Sequence, residues 1–225
     1  MTKNFKVRLS VSLILLAMAA VFVFTFDSVP FKIFFGSFAT VSAIELLSFF
    51  KKKINLWTIL LALLEIAFLI TSSIFVARLN ALEMVLLIFG VCGYDVFAYL
   101  FGNWLGASIF KKSRPFPHIS KNKTWEGTIM GLVTSFVLSG LIMIIWNSTE
   151  YMFLLCGPLA LIGDLIESFS KRRFGVKDSN EIVIKNKLFA KAELLVGGSE
   201  GHGGYLDRID SMAFTATILL LISLI

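Results

Sequence analysis

Two pairs of acids draw attention by their spacing. Asp207 and Asp210 stand three positions apart, directly before the apolar run that closes the sequence, and Asp164 and Glu167 are spaced the same way near the end of another apolar run, with Ser168 beside them. On a helix, residues three and four apart share a face. A carboxylate at hydrocarbon depth is costly unless it is paired or faces water or a cation. Two of them side by side repel strongly in a low dielectric. A bound cation removes that repulsion. Hard oxygen ligands suit Mg²⁺, which is commonly held by one or two carboxylates together with substrate phosphates. Capping of a helix N-terminus would also favour an acid at this point, but one acid suffices for that, and here two flank Arg208.

Basic and glycine-rich stretches lie beside the acids. The run "KRRFGVKD", residues 171–178, carries Lys171, Arg172, Arg173 and Lys177 ahead of Asp178. Arginine offers bidentate bonds to phosphate, and lysine a mobile point charge. Anionic lipid head groups would attract the same strip. The run "GGSEGHGG", residues 197–204, lets backbone N–H groups approach a phosphate closely and holds His202 between Gly201 and Gly203–Gly204. Neither a Walker loop nor a dinucleotide fingerprint occurs in the chain. A third polar stretch, "HISKNKTWEG" at 118–127, offers Ser120, Lys121, Lys123 and Thr124 to phosphate. Glu126 follows Thr124 by two positions, not the three of a capping box.

These groups must be positioned by membrane helices. The chain has 225 residues, of which 57% are hydrophobic and 16% charged, with mean hydropathy +0.84. A soluble domain cannot hide that much apolar surface. Cys92 and Cys156 both fall in apolar runs without metal-ligand spacing, which suits small buried side chains. Spans of roughly 20 apolar residues are expected at about 7–26, 31–50, 57–77, 82–102, 125–146, 151–169 and 209–225. The expected fold is an all-α integral membrane protein of about seven transmembrane helices. The first run is read as a retained anchor, because "TFDSVPF" is a poor cleavage site.

Charge sets the orientation. With the N-terminus cytoplasmic and the C-terminus outside, every basic residue except Lys32 and Arg78 falls on the inner side, as the positive-inside rule requires. The two long connections, 103–124 and 170–208, are then both cytoplasmic and hold the polar motifs. Residues 1–225 read as a single polytopic membrane domain, with motifs in 94–127 and 163–211. No soluble domain, internal repeat or low-complexity linker is evident. Glu45, Glu65, Glu83 and Asp95 are further acids within or beside spans; Glu83 lies near the outer end of its helix, where it can reach water.

"SFSKRRFGVKDS" followed by "GHGGYLDRIDS" resembles the signature of the phosphatidate cytidylyltransferases, or CDP-diacylglycerol synthases. The pattern falls on Ser168, Lys171, Arg172, Lys177, Asp178, His202, Gly203, Gly204, Asp207, Arg208 and Asp210. "YDVFAYLFGNWLG" at 94–106, "SKNKTWEG" at 120–127, "GDLIES" at 163–168 and Glu45 resemble further elements of that family. The resemblance covers about residues 90–225 well and the first 90 loosely.

It implies a Mg²⁺-dependent membrane enzyme that transfers CMP from CTP to phosphatidic acid, giving CDP-diacylglycerol and pyrophosphate, with room for a second cation. The implied metal ligands are Asp164, Asp207 and Asp210, with Asp178 and Lys177 as further catalytic groups. Phosphate binding is implied for Lys171, Arg172, Lys177 and Arg208, with Ser168, His202, Gly203 and Gly204 in the same site and Ser120, Lys123 and Thr124 closing it. The implied setting is a bacterial inner membrane, with no nucleic-acid partner and a homodimer left open. The sequence departs from the family in two motifs. Residues 179–201 separate Asp178 from His202 where the family has a short spacer, so that about 180–198 form a cytoplasmic insert, and Lys121 and Asn122 stand where Pro and Lys are usual. The early spans also look compressed, which would make the lipid cavity smaller. Two other readings share parts of this pattern: CTP-dependent transfer or phosphorylation of another membrane lipid, and a small cation transporter. A transporter would explain the intramembrane acids but not the Lys, Arg and Gly gathered beside Asp207 and Asp210.

Overall fold

The computed structural model describes residues 29–49, 55–106, 109–110, 114–120, 123–174 and 206–225. Six α-helices occur among them: α1 Val29–Phe49, α2 Leu56–Arg78, α3 Ala81–Trp104, α4 Trp125–Trp146, α5 Cys156–Phe174 and α6 Leu206–Ser223. A short 3₁₀ turn, Tyr151–Leu155, leads into α5. The described residues contain no strand. Helices α2, α3, α4 and the segment Tyr151–Arg173 are long and apolar enough to cross a membrane, while α1 and α6 carry shorter apolar stretches, Phe31–Ile44 and Ile209–Ser223. The expected first span at about 7–26 and the insert at about 180–198 lie outside the described residues.

Helix starts are set by local side chains that satisfy otherwise unpaired N–H groups. Asn55 caps α2: its Oδ1 accepts from Thr58 N at 2.8 Å, and its own N–H donates to Thr58 Oγ1 at 3.0 Å. Asn80 caps α3 in the same reciprocal way with Glu83, at 2.9 and 2.8 Å. Glu83 therefore has a structural task at the helix end. Thr124 caps α4 by accepting from Gly127 N at 3.1 Å. Helix α4 ends where Asn147 takes a left-handed conformation, φ 49°.

In lipid there is little hydrophobic drive between helices, so close approach of small residues holds them together. Helices α3 and α4 form the most extensive pair. A Cβ on Gly127 would lie 2.4 Å from the Ala98 carbonyl oxygen, and one on Gly131 would lie 2.8 Å from Ala98 Cβ. Ser135 Oγ donates to Gly90 O at 2.6 Å across the same interface. Helix α6 packs against both α2 and α5. Thr217 Oγ1 lies 2.7 Å from Thr71 Oγ1 and 3.1 Å from Phe68 O, and Phe68 meets Phe214 edge-on at 5.2 Å. The outward faces keep large apolar side chains exposed, among them Ile33, Trp57, Phe136 and Ile144, as a lipid-facing surface requires.

Candidate active site

The C-terminal halves of α3 and α5 meet the N-terminal ends of α4 and α6 at one end of the bundle. Asp164 and Glu167 leave α5 on one face, as their spacing predicts. Gly163 sits against α6, where a Cβ would lie 2.9 Å from Phe214 Cβ and 3.0 Å from Ser211 Cα. That close crossing brings Asp210 alongside. One carboxylate oxygen from each of Asp164, Glu167 and Asp210 falls within 4.8 Å of the others. Each fully ionised pair at such a separation repels by roughly 3–4 kcal/mol at the dielectric typical near a protein surface, a repulsion that nearby cations offset.

Two lysines supply positive charge. Lys123, just before α4, donates to Asp164 Oδ2, and Lys171, one turn beyond Glu167 on α5, lies 2.7 Å from Glu167 Oε2. Both lysine side chains are half-buried, at 16% and 15% exposure. Lys123 also stands 5.6 Å from the centre of the Tyr94 ring on α3. Burial disfavours its charged form, but the Asp164 carboxylate, with Tyr94 and Asp95 nearby, outweighs that and holds the pKa above the usual lysine value. Lys123 is therefore a fixed cation at physiological pH.

A small cavity opens against two of the three acids. It holds about 20 Å³, roughly the space of one water, and is lined by Glu65 of α2, by Glu167 and Asp210, and by apolar side chains including Phe68, Leu69 and Phe214. Glu65 is buried at mid-helix. The segment before α4 is tied down by Glu126, whose Oε1 accepts from Ile109 N and Phe110 N, each at 3.1 Å.

The predicted residues distribute unevenly. Asp164, Lys123, Lys171 and Asp210 converge. Thr124 serves as the α4 cap beside Lys123. Ser120 lies in a turn where its N–H donates to Phe116 O at 2.8 Å. Ser168 is half-buried next to Glu167, and Arg172 is exposed at the end of α5. Asp207 and Arg208 lie on the first turn of α6, with their side chains outside the described residues, as is the side chain of Glu45 on α1. Lys177, Asp178, His202, Gly203 and Gly204 also lie outside them. The structure adds Glu167 to the acids that face a common point, and its i+3 relation to Asp164 is the signal that marks it. Asp95 also joins the electrostatic surroundings of Lys123 and Asp164.

The donor set fits a hard divalent cation. Three carboxylates supply oxygen ligands, and the trio sits at a bundle end where phosphate and water can complete a shell. Asp164, Glu167 and Asp210 are the described residues that would hold such an ion.

Residues 55–184 match the model of the cytidylyltransferase family. A phosphatidate cytidylyltransferase of Rickettsia prowazekii is 31% identical over 180 residues, covering 74% of this chain and 70% of the relative. One of Rickettsia bellii is 33% identical over 145 residues, covering 59% and 54%. The chloroplastic phosphatidate cytidylyltransferase 4 of Arabidopsis thaliana is 36% identical over 135 residues, covering 57% and 29%. The chain thus spans about half or less of the length of the first relatives it matches.

Proposed function

The chain belongs to the cytidylyltransferase family, and from that premise we propose that it transfers CMP from CTP to phosphatidic acid, forming CDP-diacylglycerol and pyrophosphate. The observation that carries this reading is the carboxylate trio flanked by two half-buried lysines at one end of an apolar bundle. Such a place meets a lipid phosphate from the membrane and a nucleotide from water. The positive-inside pattern supports a cytoplasmic face for that end, with seven spans, the N-terminus inside and the C-terminus outside. A bacterial inner membrane is the setting this implies.

In the proposed reaction a phosphate oxygen of the lipid attacks the α-phosphorus of CTP. The new P–O bond forms as the α–β bridge breaks, and pyrophosphate leaves with the electron pair. Lys123, Lys171 and Arg172 hold phosphate oxygens and offset the charge that develops on the leaving group. Mg²⁺, when bound, neutralises the triphosphate. Asp164, Glu167 and Asp210 would hold that ion, Asp207 is a further ligand in this reading, and the Thr124 cap and Glu126 fix the approach of Lys123. Lys177, Asp178, His202, Gly203, Gly204, Arg208, Ser120 and Ser168 complete the nucleotide site in this reading.

The test is turnover by the purified protein in detergent with phosphatidic acid, radiolabelled CTP and Mg²⁺. A labelled liponucleotide with equimolar pyrophosphate is the expected outcome. A labelled product only with another lipid acceptor would redirect the proposal, and no labelled lipid with any acceptor would overturn it.

A further inference from the structure

We propose that Lys123 and Lys171 are tethered counter-ions which occupy the carboxylate trio between turnovers and hand it to the metal only when nucleotide arrives. The inference rests on the reading above for the nucleotide, and on the geometry alone for the lysines. The two ammonium groups bind the same acids that face the candidate cation position: Lys123 on Asp164 and Lys171 on Glu167. They come from different elements. Lys123 belongs to the segment before α4, and Lys171 sits on α5 one turn beyond its acid. A divalent ion that entered alone would have to displace them and leave two half-buried lysines without their carboxylates, which is costly. A triphosphate changes that balance, because each lysine can swing on its flexible stem from a carboxylate to a phosphate oxygen. That exchange would leave Asp164 and Glu167 free to hold a divalent ion next to the bound nucleotide. Metal and nucleotide therefore bind as a pair, each raising the affinity for the other by the same factor.

The arrangement also keeps a negatively charged cluster compact at the membrane's edge in the absence of substrate. It predicts that neutralising the lysines improves the binding of metal alone while weakening the coupling to nucleotide. A merely structural role for the lysines would have the opposite effect on metal binding, since a loosened cluster binds an ion less well.

Mn²⁺ binding to the purified full chain in detergent, followed by electron paramagnetic resonance, measures this without catalysis. Wild type should bind Mn²⁺ weakly alone, and CTP should tighten it by about tenfold or more. Lys123→Met and Lys171→Met should each tighten Mn²⁺ binding in the absence of CTP and reduce the effect of CTP. Lys123→Arg and Lys171→Arg keep the charge and should behave as wild type, which separates loss of the ammonium from a folding defect. Methionine variants that bind Mn²⁺ no better than wild type while the arginine variants remain folded would overturn the proposal, as would a wild type whose Mn²⁺ affinity ignores CTP. Turnover is scored separately. If wild type makes no liponucleotide yet the methionine variants gain Mn²⁺ affinity and CTP still tightens Mn²⁺ in wild type, the lysine exchange stands and the lipid acceptor assignment falls.

Discussion

Asp164 and Asp210 lie on helices far apart in sequence, yet their oxygens face one point together with Glu167. Replacing any one carboxylate by its amide keeps the shape and removes a charged ligand. Asp164→Asn, Glu167→Gln and Asp210→Asn should each lower turnover by ~100-fold or more, with wild-type expression and elution. Asp207→Asn tests whether the first turn of α6 supplies a further ligand, and it should fall in the same class; near-wild-type turnover would remove Asp207 from the site. Lys123 gives a pH signature. Its folded pKa lies above the unfolded value, so the stability it contributes is complete below the ordinary lysine pKa, about 10.4, and is lost only as pH rises through the folded value. The melting-temperature difference between wild type and Lys123→Met should therefore stay constant between about pH 7 and 9. A difference that faded within that window would show that Lys123 is not held as an ammonium.

Gly163 decides whether α5 and α6 can bring their acids together. An alanine there would press on Phe214 Cβ and on the α6 backbone, pushing the helices apart and separating Asp164 from Asp210. Gly163→Ala should thus weaken Mn²⁺ binding and lower the melting temperature, whereas Gly140→Ala, where the new methyl meets nothing within 4 Å, should be neutral or stabilising by up to about 1 kcal/mol. Equal effects of the two substitutions would remove close packing as the cause. Glu126 acts on the neighbouring element. Its two backbone hydrogen bonds, each worth about 1.5–3 kcal/mol when the acceptor is charged, pin Ile109 and Phe110 to the start of α4. Glu126→Ala should raise the KM for CTP through a misplaced Lys123 and speed proteolysis near residue 110; unchanged proteolysis and KM would refute this tie. The sequence made part of this visible. Helical spacing put Asp164 and Glu167 on one face, and the polar run at 118–127 lies at the end of the bundle where those acids gather. Periodicity could not say that Lys123 reaches Asp164, because that contact depends on how α4 crosses α5. Nor could it give Thr124 its cap or Glu126 its backbone partners, since these arise from the path of the chain before α4.

For the molecule as a whole, orientation determines whether the site can work at all. In the proposed reaction the nucleotide is a water-soluble polyanion of the cytoplasm, and that reading requires the end that carries Lys123, Lys171 and the trio to face inward. The charge pattern argues for this from outside the site: with seven spans, only Lys32 and Arg78 fall on the outer side, and translocating any of the larger basic connections would oppose the membrane potential. Each span added or removed would exchange the sides of every connection after it. In the seven-span reading the connections 147–150 and 170–208 flank the helix that carries Asp164 and Glu167, which puts them on opposite sides. This can be read in cells. In a variant with Cys92 and Cys156 replaced by Ser, a single cysteine introduced as Ser148→Cys should react with a membrane-impermeant maleimide added outside. Ser199→Cys should react only after the membrane is opened. Reaction of both from the same side would break the seven-span arrangement, and reaction in the reversed order would turn the carboxylate trio away from its nucleotide and overturn the proposed chemistry with it.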